Sequence, residues 1–192
     1  LGLVGMLFAW SCHKLGDGFK RWIKIPILRP ALGGVLVIGL FFIVGTPDFL
    51  GLGTLAGREG AITLRGLFSD GDVPHSAWAW KLAFTVITLA AGFKGGEVTP
   101  LFFIGAALGN ALAIWLGAPI DVMCAIGLVA IFAAATNTPI ASTLLGMELF
   151  GPGLGIYLAA ACIIAYYCSG HKGIYSSQKV GVTKFGASKN DS

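Results

Sequence analysis

The sequence predicts an all-α integral membrane protein, a multi-helix bundle of short, broken and re-entrant helices, and three observations carry that prediction. Of 192 residues, 56% are hydrophobic and only 11% are charged, against about 25% charged in an ordinary globular domain. Mean hydropathy is +0.82. Glycine supplies 29 residues and, with proline, separates apolar blocks of 12 to 19 residues, whereas a spanning helix needs about 20. A soluble domain of this length buries about 70% of its unfolded surface and needs polar residues to cover the rest. The composition therefore excludes a soluble enzyme core, a disordered tail, a coiled coil and a nucleic-acid-binding domain.

The elements follow in order. Residues 1–12 are apolar, and 13–29 form a polar connector with Lys14, Lys20, Arg21, Lys24 and Arg29. Pro30 to Val44 is apolar and is stopped by Gly45, Pro47 and Asp48. A second polar connector, 51–76, carries Arg58, Glu59, Arg65, Asp70 and Asp72 and has room for one short helix. The block 77–93 opens at Ser76, an N-cap residue type, and breaks at Lys94-Gly95-Gly96-Glu97. Blocks 98–116, 122–135, 139–150 and 153–168 are divided by Gly-Ala-Pro, Asn-Thr-Pro and Gly-Pro-Gly, with Thr138 a candidate N-cap. A polar basic tail, 169–192, closes a single transmembrane region, 1–192. Helix breaks inside a bilayer cost several kcal/mol per unpaired backbone group unless protein or a wet cavity supplies partners. A series of them argues for a channel or transporter; a plain bundle of kinked helices is the simpler alternative.

The net charge of +4 does not point to nucleic acid, because the basic residues flank apolar blocks, where they mark membrane sides. Cys12, Cys124, Cys162 and Cys168 have no CxxC pairing and read as small hydrophobes. His13, His75 and His171 lack metal-ligand spacing, and neither a metal nor a cofactor is expected. The chain opens on Leu1 rather than Met, which reads as a piece of a longer protein.

The stretch Gly92-Phe93-Lys94-Gly95-Gly96-Glu97-Val98-Thr99-Pro100 is the most informative. Two glycines free the backbone and a helix starts, with Pro100 in a first turn that tolerates its missing N–H. The N–H groups of Glu97, Val98 and Thr99 then face outward from an end carrying about half a positive charge, which suits a small anion. Glu97 is either a first-turn acid that complements the helix dipole or, with burial raising its pKa, a proton carrier; Lys94 is close enough in sequence to pair with it. Thr99 and Phe103 lie i, i+4 on one face. A threonine hydroxyl donates to anions and a phenyl edge is positive, although Phe103 taken alone reads first as a core-packing residue. The Tyr175 phenol is either an anion donor or an interfacial belt residue. Glu148, late in its apolar block, caps or pairs within the bundle. The small residues in Gly105-Ala106-Ala107-Leu108-Gly109 suit a close helix contact.

These motifs resemble the second half of a CLC-type chloride channel or antiporter. Pro30 to Leu52 is similar to that family's long helix and its glycine-containing exit. Gly96-Glu97-Val98-Thr99-Pro100 lies where most members carry Gly-x-Phe-x-Pro at an anion-binding helix start. Ala125 to Gly151 resembles the helices that follow, and Gly173-Ile174-Tyr175-Ser176 the segment with the central anion-coordinating tyrosine. With Val98 in place of phenylalanine, Gly-Gly-Glu-Val-Thr-Pro is similar to the fluoride-exporting branch, a fluoride/proton antiporter. The resemblance implies one repeat of an inverted-repeat fold and a homodimer in the bilayer. It implies a missing N-terminal half of the same transporter, fluoride or chloride and protons as substrates, and an anion site drawn from Gly96, Glu97, Val98, Thr99, Phe103 and Tyr175, with Glu97 supporting proton coupling. Gly57-Arg58-Glu59-Gly60 looks like the family's gating motif, which belongs to the first half of the fold; in a polar connector Glu59 reads as solvated.

The activity expected is anion transport, fluoride/proton antiport first and a chloride-selective member of the family second. Ser169 and His171, the only close serine–histidine pair, lie in a tail without a GxSxG-type turn, so an intramembrane enzyme is the remote reading, and a non-transporting assembly partner is a third. Charge placement would put both the 13–29 connector and the tail in the cytoplasm. The resemblance puts the tail there and the connector outside, so a multi-pass protein of the bacterial inner membrane with a cytoplasmic C-terminus is expected.

Overall fold

Helix ends organise this chain. A computed structural model describes residues 1–54, 60–69, 73–93, 95–170, 173–175 and 184. Among them the regular elements are all helical: α1 (Gly2–Trp22), α2 (Leu28–Val44), α3 (Ala77–Ala90), α4 (Val98–Leu116), α5 (Ile120–Thr136), α6 (Pro139–Phe150) and α7 (Gly155–Cys168), with 3-10 turns at Gly66–Phe68 and Pro152–Leu154. α2, α4 and α6 stop at Gly45, Gly117 and Gly151, where φ is 73°, 63° and 90°. There the chain leaves the helical path without a Cβ penalty. α5 stops at Asn137, whose φ of 58° is the one positive value among the described non-glycine residues. Asparagine is the side chain that best tolerates that conformation.

α4, with 19 residues, is the one described helix both long and apolar enough to cross a bilayer. α3 and α7 have 14 residues and α6 has 12, about 21 and 18 Å of helix. The breaks expected between short helices are present.

α5 is the central rod. It is buried nearly all round, from Cys124 to Thr136, and α1, α4, α6 and α7 pack against it. Its contact with α4 is the tightest: a Cβ built on Gly105 would stand 2.5 Å from the Gly127 carbonyl oxygen, and one on Gly109 2.2 Å from that of Met123. The small-residue run 105–109 is thus a backbone-to-backbone crossing. Gly33 of α2 makes room for the Ala91 methyl just past the end of α3.

Two expectations change. The polar run beginning at His13 is not a connector throughout, because α1 continues to Trp22 and carries Lys14, Lys20 and Arg21 on exposed turns. Lys20 and Arg21 occupy its last turn, where cations complement the helix dipole. Glu148 is exposed and makes no ion pair among the described residues. Ser76 and Thr138 do occupy N-cap positions, but neither makes a side-chain capping bond. Gly57, Arg58, Glu59, Asp70, Asp72, Lys94, His171 and Lys172 lie outside the described residues, as does the tail apart from residues 169–170, 173–175 and 184.

Candidate anion-binding site

α3 ends at Ala90, Gly92 turns the chain at φ +93°, and Glu97 stands at the N-cap position of α4 with φ −87° and ψ −22°. The first bond of the α4 ladder runs from the Leu101 N–H to the Glu97 carbonyl, at 3.3 Å. The Val98 and Thr99 N–H groups therefore precede that ladder, and Pro100 adds no donor. Gly95, Gly96 and Val98 are exposed and Glu97 and Thr99 half-buried, while Pro100 is buried. The Glu97 carboxylate makes no capping bond back to the helix. Two adjacent N–H groups, a hydroxyl and a carboxylate thus share one accessible helix start.

The segment holding Tyr175 is fastened to the same end of the bundle. The Ile174 N–H donates to the Ala135 carbonyl at 2.8 Å, and His13 Nε2–H on α1 donates to the Gly173 carbonyl at 2.9 Å. Ile174 packs on a buried cluster of Phe8, Val86, Leu101, Ile104, Ile131 and Ala135. Leu101 and Ile104 are in the first two turns of α4, so this cluster joins the tyrosine segment to the helix start. Tyr175 itself is 46% exposed.

Phe103 takes the core-packing role rather than the lining role that the resemblance implies. It is fully buried in a cluster with Phe49, Phe84, Ala106 and Cys124, and its ring closes against Gly53 and the Lys81 ammonium, which lies 5.0 Å from the ring centroid. The i, i+4 relation to Thr99 holds, but helix rotation and burial take the ring behind the wall. Lys94, the expected partner of Glu97, lies outside the described residues. Ser169 serves the end of α7, its hydroxyl donating to the Tyr166 carbonyl at 2.9 Å, a structural task rather than a nucleophile's.

Beside the helix start lies a cleft of about 260 Å³, bounded by the 49–52 loop, by Phe84, Thr85, Thr88 and Leu89 of α3, and by Phe93, Gly95, Gly96 and Pro100. The larger groove of about 590 Å³ between α1 and α2 contains none of the residues of the break. Two contributors escape a reading of the sequence. Lys81 is signalled only as a lone charge in an apolar block, and His13 only as a polar residue at a block edge; both act on carbonyls far away in the chain.

Short helices broken before membrane length, packed with the membrane-length α4 on one buried rod, define the class as a broken-helix bundle of the integral-membrane type. The chain belongs to the voltage gated chloride channel family, whose model matches residues 1–170. It is 45% identical over 185 residues to the chloride/fluoride channel protein of Pseudomonas syringae pv. tomato, covering 95% of this chain and 40% of that protein. It is 31% identical over 176 residues to the voltage-gated ClC-type chloride channel ClcB of Salmonella dublin, covering 85% and 40%. The crystal structure of a CLC-type fluoride/proton antiporter matches with a TM-score of 0.82 and 34% identity, over 93% of this chain and 43% of that one. The chain spans about 40% of the length of these relatives.

Proposed function

We propose that this chain is the second half of a fluoride/proton antiporter of the inner membrane, homodimeric and with its C-terminus in the cytoplasm. The observation that carries this reading is the accessible Gly96-Glu97-Val98-Thr99 helix start, on a fold 34% identical to a fluoride/proton antiporter. Fluoride is small and holds water strongly, so a pathway must replace that water with good donors. The Val98 and Thr99 N–H groups, the Thr99 hydroxyl and the Tyr175 phenol supply them on this side, and the first half of the protein completes the shell. Glu97, half-buried and without a capping bond, takes and releases the coupled proton. Phe103 supports the site from behind.

Fluoride efflux from liposomes, read with a fluoride electrode alongside internal pH, tests this on the full-length protein. Fluoride faster than chloride, with one flux driving proton movement the other way, is the expected result. Chloride faster than fluoride rejects it in favour of a chloride-selective transporter, and the name of the Pseudomonas relative, which carries both anions, keeps that second reading specific. The 192-residue chain alone should not transport; efflux well above empty vesicles would overturn the half-site reading.

A further inference from the structure

Lys81 is fully buried in α3. Its Nζ donates to the carbonyls of Phe49 at 3.1 Å and Gly51 at 2.7 Å, and the Phe103 ring covers it at 5.0 Å. No described carboxylate forms an ion pair with it. A buried ammonium is costly unless paired, and here carbonyl dipoles and a π face substitute for a counter-charge without cancelling its field. Phe49 and Gly51 belong to the loop that walls the 260 Å³ cleft, whose lining also includes Gly95, Gly96 and Pro100. Lys81 shares a stripe of α3 with Thr85 and Thr88, at i, i+4 and i+7, and both threonines line the cleft. Their hydroxyl protons are committed to the Lys81 and Phe84 carbonyls at 2.8 and 2.7 Å. Gly53, at φ +71°, leaves room for the arrangement, since a Cβ there would stand 2.7 Å from the Phe103 ring.

We infer that Lys81 is a positioning residue that holds the 49–51 loop and, from one backbone thickness behind it, makes the cleft an anion-admitting vestibule to the α4 start. Its uncancelled charge raises local anion concentration, and the apolar lining by Phe49, Leu52, Phe84 and Phe93 limits screening by water. The transport part of this inference rests on the anion-antiport reading; the positive cleft does not.

Leu52 lines the cleft and is 51% exposed, so a Leu52→Cys thiol reports on it. In the full-length protein, with Cys168→Ser removing the exposed native thiol, labelling by a sulfonate methanethiosulfonate is compared with labelling by its trimethylammonium counterpart. The sulfonate-to-ammonium rate ratio should exceed that of a free thiol by about fivefold, on the order of the effect of one fixed charge on two oppositely charged reagents in a water-like dielectric. Lys81→Gln should abolish the excess and Lys81→Arg keep it. In transport, Lys81→Gln should raise the fluoride KM by a similar factor at unchanged maximal rate, with Lys81→Arg restoring it. A free-thiol ratio with Lys81 in place, an unreactive thiol, or an excess that survives Lys81→Gln would each overturn the inference. The first two readings need no Lys81 variant to fold. Positive labelling with no fluoride transport would reject the antiport reading alone.

Discussion

Gly105→Ala adds one methyl group at the tightest crossing of the bundle. That Cβ would sit 2.5 Å from the Gly127 carbonyl oxygen, 2.7 Å from the Leu128 Cα and 2.9 Å from the Gly127 carbonyl carbon. All three are backbone atoms, so no side-chain rotation relieves the contact. Ordinary contact begins near 3.4 Å, so α4 and α5 must part by about 0.9 Å. Neither helix has slack, because Leu101, Ile104 and Ala106 on α4 and Ile131 and Ala130 on α5 are fully buried. Overpacking of this kind costs about 1–3 kcal/mol. The start of α4 lies seven residues, about 10 Å, up the same rod, so most of the displacement reaches Val98 and Thr99. Thermal unfolding of the detergent-solubilised full-length protein should show the loss of stability, and fluoride efflux at a temperature where the variant is folded should be slower by tenfold or more. Gly39→Ala is the control: it lies in α2 with nothing within 4 Å of the added methyl, so helix propensity alone should make it neutral or stabilising by up to about 1 kcal/mol. A Gly105→Ala protein as stable and active as the parent would refute the claim that this crossing fixes the helix start.

Thr99→Ala and Tyr175→Phe should each slow fluoride efflux about tenfold or more, the loss expected for a hydrogen bond to a charged group; unchanged rates in both would remove them from the pathway. Glu97→Gln should uncouple fluoride from protons while fluoride still moves, and retained coupling ratios would reduce Glu97 to a helix-end charge. Lys184 donates to Asn137 Oδ1 and the Tyr166 carbonyl at 2.6 Å and to the Ser169 hydroxyl at 3.1 Å. Burial lowers its pKa from 10.5 to about 8. The docked form thus binds fewer protons than the undocked one between about pH 8 and 10.5, so docking should strengthen as pH rises through that window. Hydrogen exchange at Gly170, corrected for its intrinsic pH dependence, should slow accordingly; faster exchange would reverse the sign of the argument.

Helices punctuated by strong breakers were legible in the sequence. Gly117-Ala118-Pro119 and Asn137-Thr138-Pro139 delimit α4 and α6 at the residues read from them, 98–116 and 139–150. α1 runs past the expected connector boundary because a helix continues through charges when, like Lys14, Lys20 and Arg21, they fall on exposed turns. The helix start was legible because its chemistry is local. Lys81 was not, because its partners are carbonyls 30 and 32 residues upstream, and carbonyls carry no residue signature. Phe103 shows the converse limit: its i, i+4 spacing from Thr99 was right, but spacing does not say which of two neighbours on a face meets the open side.

The shortness of α3 explains why the glycine break can hold a carboxylate. With 14 residues, α3 extends about 21 Å, and the hydrocarbon layer is about 30 Å thick. A helix of that length entering from either face ends inside the layer, so residues 91–93 and 95–97 lie at depth rather than in bulk water. Non-helical backbone at that depth is tolerated only against protein or a wet cavity, and the 260 Å³ cleft meets Gly95 and Gly96 there. That cleft adjoins Gly96, the chain neighbour of Glu97, and a wet cavity is the setting in which a carboxylate at membrane depth is tolerated. Lengthening α3 by one turn would carry the break toward the surface and out of the low dielectric that strengthens the N–H and hydroxyl donors of the proposed anion site. The excess of glycine is therefore tied to function through helix length: it ends helices early enough to leave their termini, rather than their side chains, inside the membrane.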